Sequence, residues 1–314
     1  MAKDNKVFDE LKIFKTIRML DNYSVIILDL WGVVHNGQKP YPGVVESMQI
    51  LRSSGKKIIL LSNSPRRSDA VIEQIRKIGI SNHLYDKVIT SGELIFNYLN
   101  YSSKNSGTKS YYKISPLGND YLTDDLIDNE TVNIKNADYI LIIGPQNDET
   151  DMVDDYNAIL RSGIDLSLKL VCANPDLSVM RGEKYVLCAG SIAQKYKEMG
   201  GEVISLGKPN QAAYLECLSM FENYDLSDFV AIGDSPLTDI KGANQSGIDS
   251  IFILNGMHRK DVYLNNKLNY ELIKNLFQKN NIDYPTAIMT SLVSWAFLKS
   301  DFFLDKTLIA SHIT

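Results

Sequence analysis

The sequence predicts an α/β protein, a Rossmann-like doubly wound parallel sheet carrying an inserted α/β cap domain. Two observations predict the sheet. Short β-branched apolar runs recur along the chain, and each is followed by Gly, Ser, Asn or Asp and then by residues at helical spacing. A third observation predicts the insertion: after a Ser/Asn/Gly-rich stretch a separate set of strands begins, and the first pattern later resumes.

The first run, Val25 to Leu28, ends abruptly at Asp29-Leu30-Trp31-Gly32-Val33. A helix is expected over Val44 to Ser53, where Val44, Ser47, Met48 and Leu51 share a face. The strand Lys57 to Leu61 precedes a helix over Ser68 to Ile78, with Ala70, Val71, Ile75 and Ile78 inward. After the strand Lys87 to Ile89, Thr90 and Glu93 have capping-box spacing and open a helix over Glu93 to Leu99. Tyr101 to Thr108 reads as a linker by composition. Beyond it come the strands Ser110 to Ile114, Tyr139 to Ile143 and Lys169 to Cys172, and the core pattern resumes with Val203 to Ser205, Phe229 to Ile232 and Ser250 to Leu254. The boundaries drawn are 1–106 for the first part of the core, 107–204 for the cap, and 205–314 for the second part of the core with a C-terminal extension. Ala287 to Leu298 reads as a core or dimer-interface helix, too short to cross a bilayer, so a homodimer is one expectation.

Composition narrows the function classes. The 314 residues are 44% hydrophobic, ample for a core, and 33 basic against 38 acidic side chains give a net charge of −5. Scattered basic residues make nucleic acid an unexpected partner. Cys172, Cys188 and Cys217 form no CxxC pair and no metal-ligand spacing, and an odd number excludes a complete disulfide framework. Met1 to Glu10 is polar, without the apolar core of a signal peptide. The expectation is a cytoplasmic protein with free thiols and no membrane association.

In an open parallel sheet, ligands bind outside the carboxyl ends of the strands, so the residues just after each run carry the chemistry. They are Asp29, Ser62-Asn63-Ser64, Lys208, and Asp234 with Asp239. That is a nucleophile candidate, a hydroxyl among amides at a helix start, a cation and a pair of carboxylates. Phosphoryl transfer needs this combination: an in-line nucleophile, a divalent metal against phosphate charge, and donors for the equatorial oxygens. Asp29 and Asp234 could share Mg²⁺, a hard cation held by oxygen. Each residue alone has an ordinary structural alternative, as turn, cap or surface residue; their common placement at strand ends favours the chemistry.

These residues resemble the motifs of the haloacid dehalogenase-like (HAD) superfamily: Asp29-Leu30-Trp31-Gly32-Val33, Leu60-Leu61-Ser62-Asn63, Lys208-Pro209 and Gly233-Asp234-Ser235-Pro236-Leu237-Thr238-Asp239. The insertion, with Asn174-Pro175-Asp176 and Ala189-Gly190-Ser191-Ile192, is similar to the class IIA branch of p-nitrophenyl phosphatases and predicted sugar phosphatases. The resemblance implies a phosphoric monoester hydrolase acting on a small phosphorylated metabolite. It implies that Asp29 forms an aspartyl-phosphate and that Mg²⁺ is held by Asp29, the Trp31 backbone carbonyl, Asp234 and, through water, Asp239. It also implies that Ser62 and Lys208 bind the phosphoryl group and act in catalysis, with Asn63, Asn174 and Asp176 contributing to substrate binding. The turn His35 to Pro42 and the loop Asn174 to Asp176 would face the leaving group.

Trp31 departs from that pattern, since the family's phosphatases place there an aspartate that carries the proton. An indole N–H is a donor only. Losing general acid-base help costs roughly 10²- to 10⁴-fold in rate, or about 3 to 5 kcal/mol of barrier. The ring either packs beneath the catalytic turn, or lines the site and favours acidic leaving groups. The alternative function is a catalytically weak phospho-ligand binding or regulatory protein. His35 is an available proton carrier in principle, although a histidine in a polar turn is usually at the surface.

Overall fold

The computed structural model describes residues 11–118, 120–181, 184–265 and 267–293. In chain order the strands are β1 (Lys12–Phe14), β2 (Val25–Asp29), β3 (Lys57–Ser62), β4 (Lys87–Thr90), β5 (Ser110–Ile114), β6 (Asn129–Thr131), β7 (Tyr139–Ile142), β8 (Lys169–Cys172), β9 (Ser178–Arg181), β10 (Lys184–Leu187), β11 (Val203–Ser205), β12 (Phe229–Gly233), β13 (Asp249–Ile253), β14 (Tyr263–Leu264), β15 (Lys267–Leu268) and β16 (Ala287–Met289). The helices are α1 (Val44–Ser53), α2 (Ser68–Lys77), α3 (Ser91–Ser106), α4 (Asn157–Asp165), α5 (Ala189–Glu198), α6 (Gln211–Ser219), α7 (Lys241–Gln245), α8 (Arg259–Val262) and α9 (Tyr270–Lys279). One sheet has the order β1-β16-β13-β12-β2-β3-β4 and a second has β11-β8-β7-β5-β6. The expected α/β core with an additional cap sheet is what the chain forms.

The chain divides into two compact units, the described residues of Met1–Leu60, Gly79–Lys87 and Phe221–Thr314 in the first and those of Leu61–Ile78 and Val88–Met220 in the second. In the first unit every residue of β2 is buried, as expected of a central parallel strand covered on both faces. β2 and β12 run parallel with Leu28 opposite Ile232. Asp29 and Gly233-Asp234 therefore leave neighbouring strands at the same carboxyl edge. Helix α1 buries Val44, Ser47, Met48 and Leu51, the face read from the spacing.

The C-terminal part of the first unit corrects the expectation of a helix from Ala287. Ala287–Met289 is strand β16, paired in parallel with β1 on one side and β13 on the other. Residues 294–298 lie outside the described residues, as does the N-terminus Met1–Glu10. A short apolar run cannot be assigned by periodicity, and here two parallel neighbours decide it. Phe277 of α9 packs edge-on against Phe252 of β13, centroids 5.4 Å apart, in a cluster with Ile240, Val262, Ile273 and Ile288. The extension thus adds both a strand and a helix to the core.

The second unit holds the five-stranded sheet between two apolar clusters. One face packs Ile140, Ile142 and Leu170 against Leu160, Ile192 and Tyr196 of α4 and α5. The other packs Tyr111, Leu141 and Val171 against Ile95, Phe96 and Leu99 of α3. The composition-based linker is overturned here, because α3 continues to Ser106. Its last turns are held by tertiary contacts, with Ser103 buried and its hydroxyl donating to the buried Asp128 carboxylate at 2.5 Å. Packing outweighs a Ser/Asn-rich composition. A further correction concerns Val203–Ser205, read as a core strand, which pairs in parallel with β8 in the second sheet. Lys208 accordingly follows an edge strand of the second sheet, so the idea that all four motifs end strands of one sheet fails for this residue.

Among the described residues no helix is long and apolar enough to cross a membrane. All three cysteines are free and buried.

Candidate active site

The first unit gathers three of the expected residues. Asp29 ends β2, Asp234 follows β12, and Asp239 lies in the wide helical turn Pro236–Ile240. All three are buried, and each offers a carboxylate oxygen within 4.8 Å of the others. Two are oriented by main-chain donors: Met257 N–H donates to Asp234 Oδ2 at 2.6 Å, and Ser235 N–H to Asp239 Oδ2 at 3.0 Å. Gly32 makes this approach possible. Its φ is +87°, and a Cβ there would lie 1.8 Å from Asp234 Oδ2. Three like charges out of water repel strongly unless a cation joins them. An all-oxygen set of this kind suits a hard divalent ion, so the residues present fit the metal that the motifs imply.

The turn after Asp29 is tightly knit. Gly32 N–H donates to the His35 carbonyl at 3.0 Å, and the His35 N–H to the Leu30 carbonyl at 3.0 Å. The Trp31 ring meets the His35 ring edge-on, centroids 5.2 Å apart at 65°. It also covers Gly37, where a Cβ would come within 2.4 Å of the indole. His35 is 1% exposed, which corrects the surface placement expected from its polar turn. Its Nδ1 accepts from Gly37 N–H at 2.9 Å, and burial pushes its pKa down to about 4. At neutral pH the imidazole is uncharged. The sequence reading did not single out Tyr41, whose hydroxyl is pushed up to about 12 by burial and by the charges of Asp234 and Asp29. No spacing rule would have found it, since it sits between Pro40 and Pro42 in an irregular turn.

The remaining expected residues lie in the second unit. Ser62, Asn63, Asn174 and Lys208 are all buried there. The Asn63 amide donates to Asp176 Oδ1 at 2.7 Å and to the Lys208 carbonyl at 3.0 Å. Asn174 Oδ1 accepts from Asp176 N–H at 3.0 Å, closing the turn at Pro175. Asn63, Asn174, Asp176 and Lys208 are therefore connected. Ser62 Oγ accepts from Ser64 N–H at 3.1 Å. The helix start expected beside Ser62 is used otherwise. Helix α2 begins only at Ser68, whose N–H donates to Glu93 Oε2 at 3.0 Å, and Glu93 also pairs with Arg67 at 2.8 Å. Thr90 Oγ1 accepts from Glu93 N–H at 3.0 Å, so the serine/threonine half of the predicted capping box is present.

Comparison with known proteins draws these motifs into one family. A profile described as haloacid dehalogenase-like hydrolase matches residues 26–129, and a HAD-hydrolase-like profile matches residues 205–276. A solved hydrolase of the haloacid dehalogenase-like family from Brucella suis is 31% identical, with a TM-score of 0.77, covering 90% of this chain and 100% of that one. The chain belongs to the haloacid dehalogenase-like hydrolases. Among curated relatives of this HAD hydrolase, a 4-nitrophenylphosphatase of Schizosaccharomyces pombe is 25% identical over 78% of this chain and 88% of its own length. The sugar phosphatase AraL of Bacillus subtilis is 27% identical over 74% and 83%. These are relatives of the class IIA kind that the motifs resemble.

Proposed function

We propose that this HAD hydrolase is a Mg²⁺-dependent phosphatase of a small phosphorylated metabolite, working in the cytoplasm, with Asp29 as its nucleophile. The observation that carries the reading is the buried trio Asp29, Asp234 and Asp239 at one carboxyl edge. Its class, a phosphoric monoester hydrolase, accords with the phosphatase names of its relatives. Asp29, Asp234 and the Trp31 carbonyl would hold Mg²⁺, with Asp239 supporting it through water, and the ion would offset phosphate charge beside the carboxylates. Asp29 attacks phosphorus to form an aspartyl-phosphate. Ser62 and Lys208 bind the phosphoryl oxygens, Lys208 as a point charge and Ser62 as a donor. Asn63, Asn174 and Asp176, with residues 107–204 as the cap domain, contact the rest of the substrate.

The test is a screen for Mg²⁺-stimulated phosphate release over sugar phosphates, nucleoside monophosphates and acyl phosphates. Asp29→Asn is expected to abolish release, and activity that survives in that variant overturns the assignment. A second reading, a catalytically weak phospho-ligand binding protein, is favoured by Trp31 alone. Saturable binding of phosphorylated ligands without turnover, for every compound in the screen, would support it instead.

A further inference from the structure

Trp31 does more than remove a proton carrier, because its surroundings close the position to a substitute. The ring lies on Gly37, where a Cβ would be 2.4 Å from Trp31 Cη2 and 2.6 Å from Cζ3. It meets His35 edge-on at 5.2 Å. His35, an imidazole of the same turn, is 1% exposed and has its Nδ1 occupied by Gly37 N–H. Asp234 and Asp239 are turned toward Asp29 and each accepts a main-chain N–H. The turn is thus well built for holding an anion-accepting nucleophile and poorly built for moving protons.

Resting on the reading of Asp29 as nucleophile, we propose that the chain is adapted to acyl phosphates and that its aspartyl-phosphate accumulates, so that hydrolysis of the phosphoenzyme limits turnover. In the first step an Asp29 oxygen forms a bond to phosphorus while the bond from phosphorus to the acyl oxygen breaks. The electron pair leaves with a carboxylate, which is stable at neutral pH and takes no proton. An alkyl phosphate would instead expel an alkoxide, which needs the proton that an indole cannot give. The energetics favour the same substrates. Transfer from one acyl phosphate to another carboxylate exchanges like for like, whereas transfer from an alkyl ester to a carboxylate runs uphill. In the second step a water oxygen attacks phosphorus, the bond to Asp29 breaks, and the carboxylate is restored. The Trp31 indole accepts no proton and His35 Nδ1 is already occupied by Gly37 N–H, so the water's proton passes to a phosphate oxygen or to solvent, and the step is slow.

The experiment mixes the full-length protein with Mg²⁺ and acetyl phosphate, quenches in acid during steady state, and measures intact mass. A phosphoryl adduct on most of the wild-type chains is expected, released by hydroxylamine as an acyl phosphate should be and absent from Asp29→Asn. Glucose 6-phosphate in place of acetyl phosphate should leave no adduct. Trp31→Asp is expected to lose the adduct while turnover on both donors rises, by roughly 10²- to 10⁴-fold on the sugar phosphate. The wild-type measurement stands by itself if that variant does not fold. Rapid acetyl phosphate hydrolysis by wild type with no adduct overturns the inference. If Tyr41→Phe then makes the adduct appear, Tyr41 is the proton carrier and the inference is equally refuted. An adduct that persists in Asp29→Asn refutes instead the underlying assignment of the nucleophile.

Discussion

The two units hold polar clusters of opposite design. In the first, Asp29, Asp234 and Asp239 bring three carboxylates of one sign within 4.8 Å of one another. In the second, an amide, a carboxylate and a main-chain carbonyl are linked by hydrogen bonds from Asn63 to Asp176 and to the carbonyl of Lys208. The first gathers charges of one sign, the kind of site an added cation joins, while the second is tied together by donor and acceptor pairs. Burial makes the difference matter, since in a low-dielectric site like charges repel strongly and a hydrogen-bonded group is held rigid. Each cluster should therefore answer to a different perturbation.

The largest effect is expected where the three carboxylates gather. Mg²⁺ should raise the thermal midpoint of the wild-type protein, because an ion that binds only the folded state stabilises it in proportion to its saturation. Asp234→Asn should abolish that midpoint shift and lower phosphate release by about 10³-fold, or about 4 kcal/mol of barrier, the upper range for removing one preorganised electrostatic partner. Differential scanning fluorimetry with and without Mg²⁺ reads the first effect without reference to turnover. A variant that keeps the full midpoint shift would show that the trio is not where the ion acts.

Within the first unit, His35 shows how little this turn tolerates charge away from the trio. Its folded pKa of about 4 lies below the ordinary histidine value near 6.5 because burial disfavours the imidazolium. The unfolded chain therefore takes up a proton before the folded one does as pH falls. The neutral-imidazole contribution is fully present above about pH 6.5 and is lost progressively down to about pH 4, amounting to about 3 kcal/mol. Denaturant unfolding of wild type and His35→Gln across that window should give curves that converge toward acid. Parallel curves would mean that the ring is not held neutral by burial.

Much of this contrast was legible in the sequence, and the parts that were not share a cause. Asp29 and Asp234 could be read because strands β2 and β12 are local apolar runs whose ends announce themselves, and parallel pairing brings those ends together. The helical face of α1 was legible for the same local reason. Val203–Ser205 and Ala287–Met289 were misread because a run of three residues does not say which sheet it joins or whether it forms a strand; partners distant in sequence decide. The C-terminal turns of α3 depend on Asp128, a residue twenty-five positions from Ser103. His35 looked exposed because its neighbours Asn36 to Pro40 are polar, yet the chain folds its ring against Trp31. Local pattern reveals where chemistry can start, and long-range pairing decides how each side chain is kept.

Asn63 offers the finest test of the second cluster. Its amide hydrogens are divided between Asp176 and the Lys208 carbonyl, while its Oδ1 is buried with no hydrogen-bond partner. Asn63→Ala removes both donors and leaves a carboxylate and a carbonyl short of a partner, a loss of about 2 kcal/mol for a hydrogen bond involving a charged group. The loop Asn174 to Asp176 should loosen, raising KM by about 10-fold with a smaller change in kcat. Asn63→Asp has the same shape but faces the Asp176 carboxylate with a second negative charge. If the cluster is held by donation from Asn63 to the Asp176 carboxylate, Asn63→Asp must be more destabilising than Asn63→Ala, since repulsion adds to the lost donors. If the two variants behave alike, the second cluster is indifferent to an added negative charge, and the distinction between like charges gathered in one unit and hydrogen-bonded partners in the other fails.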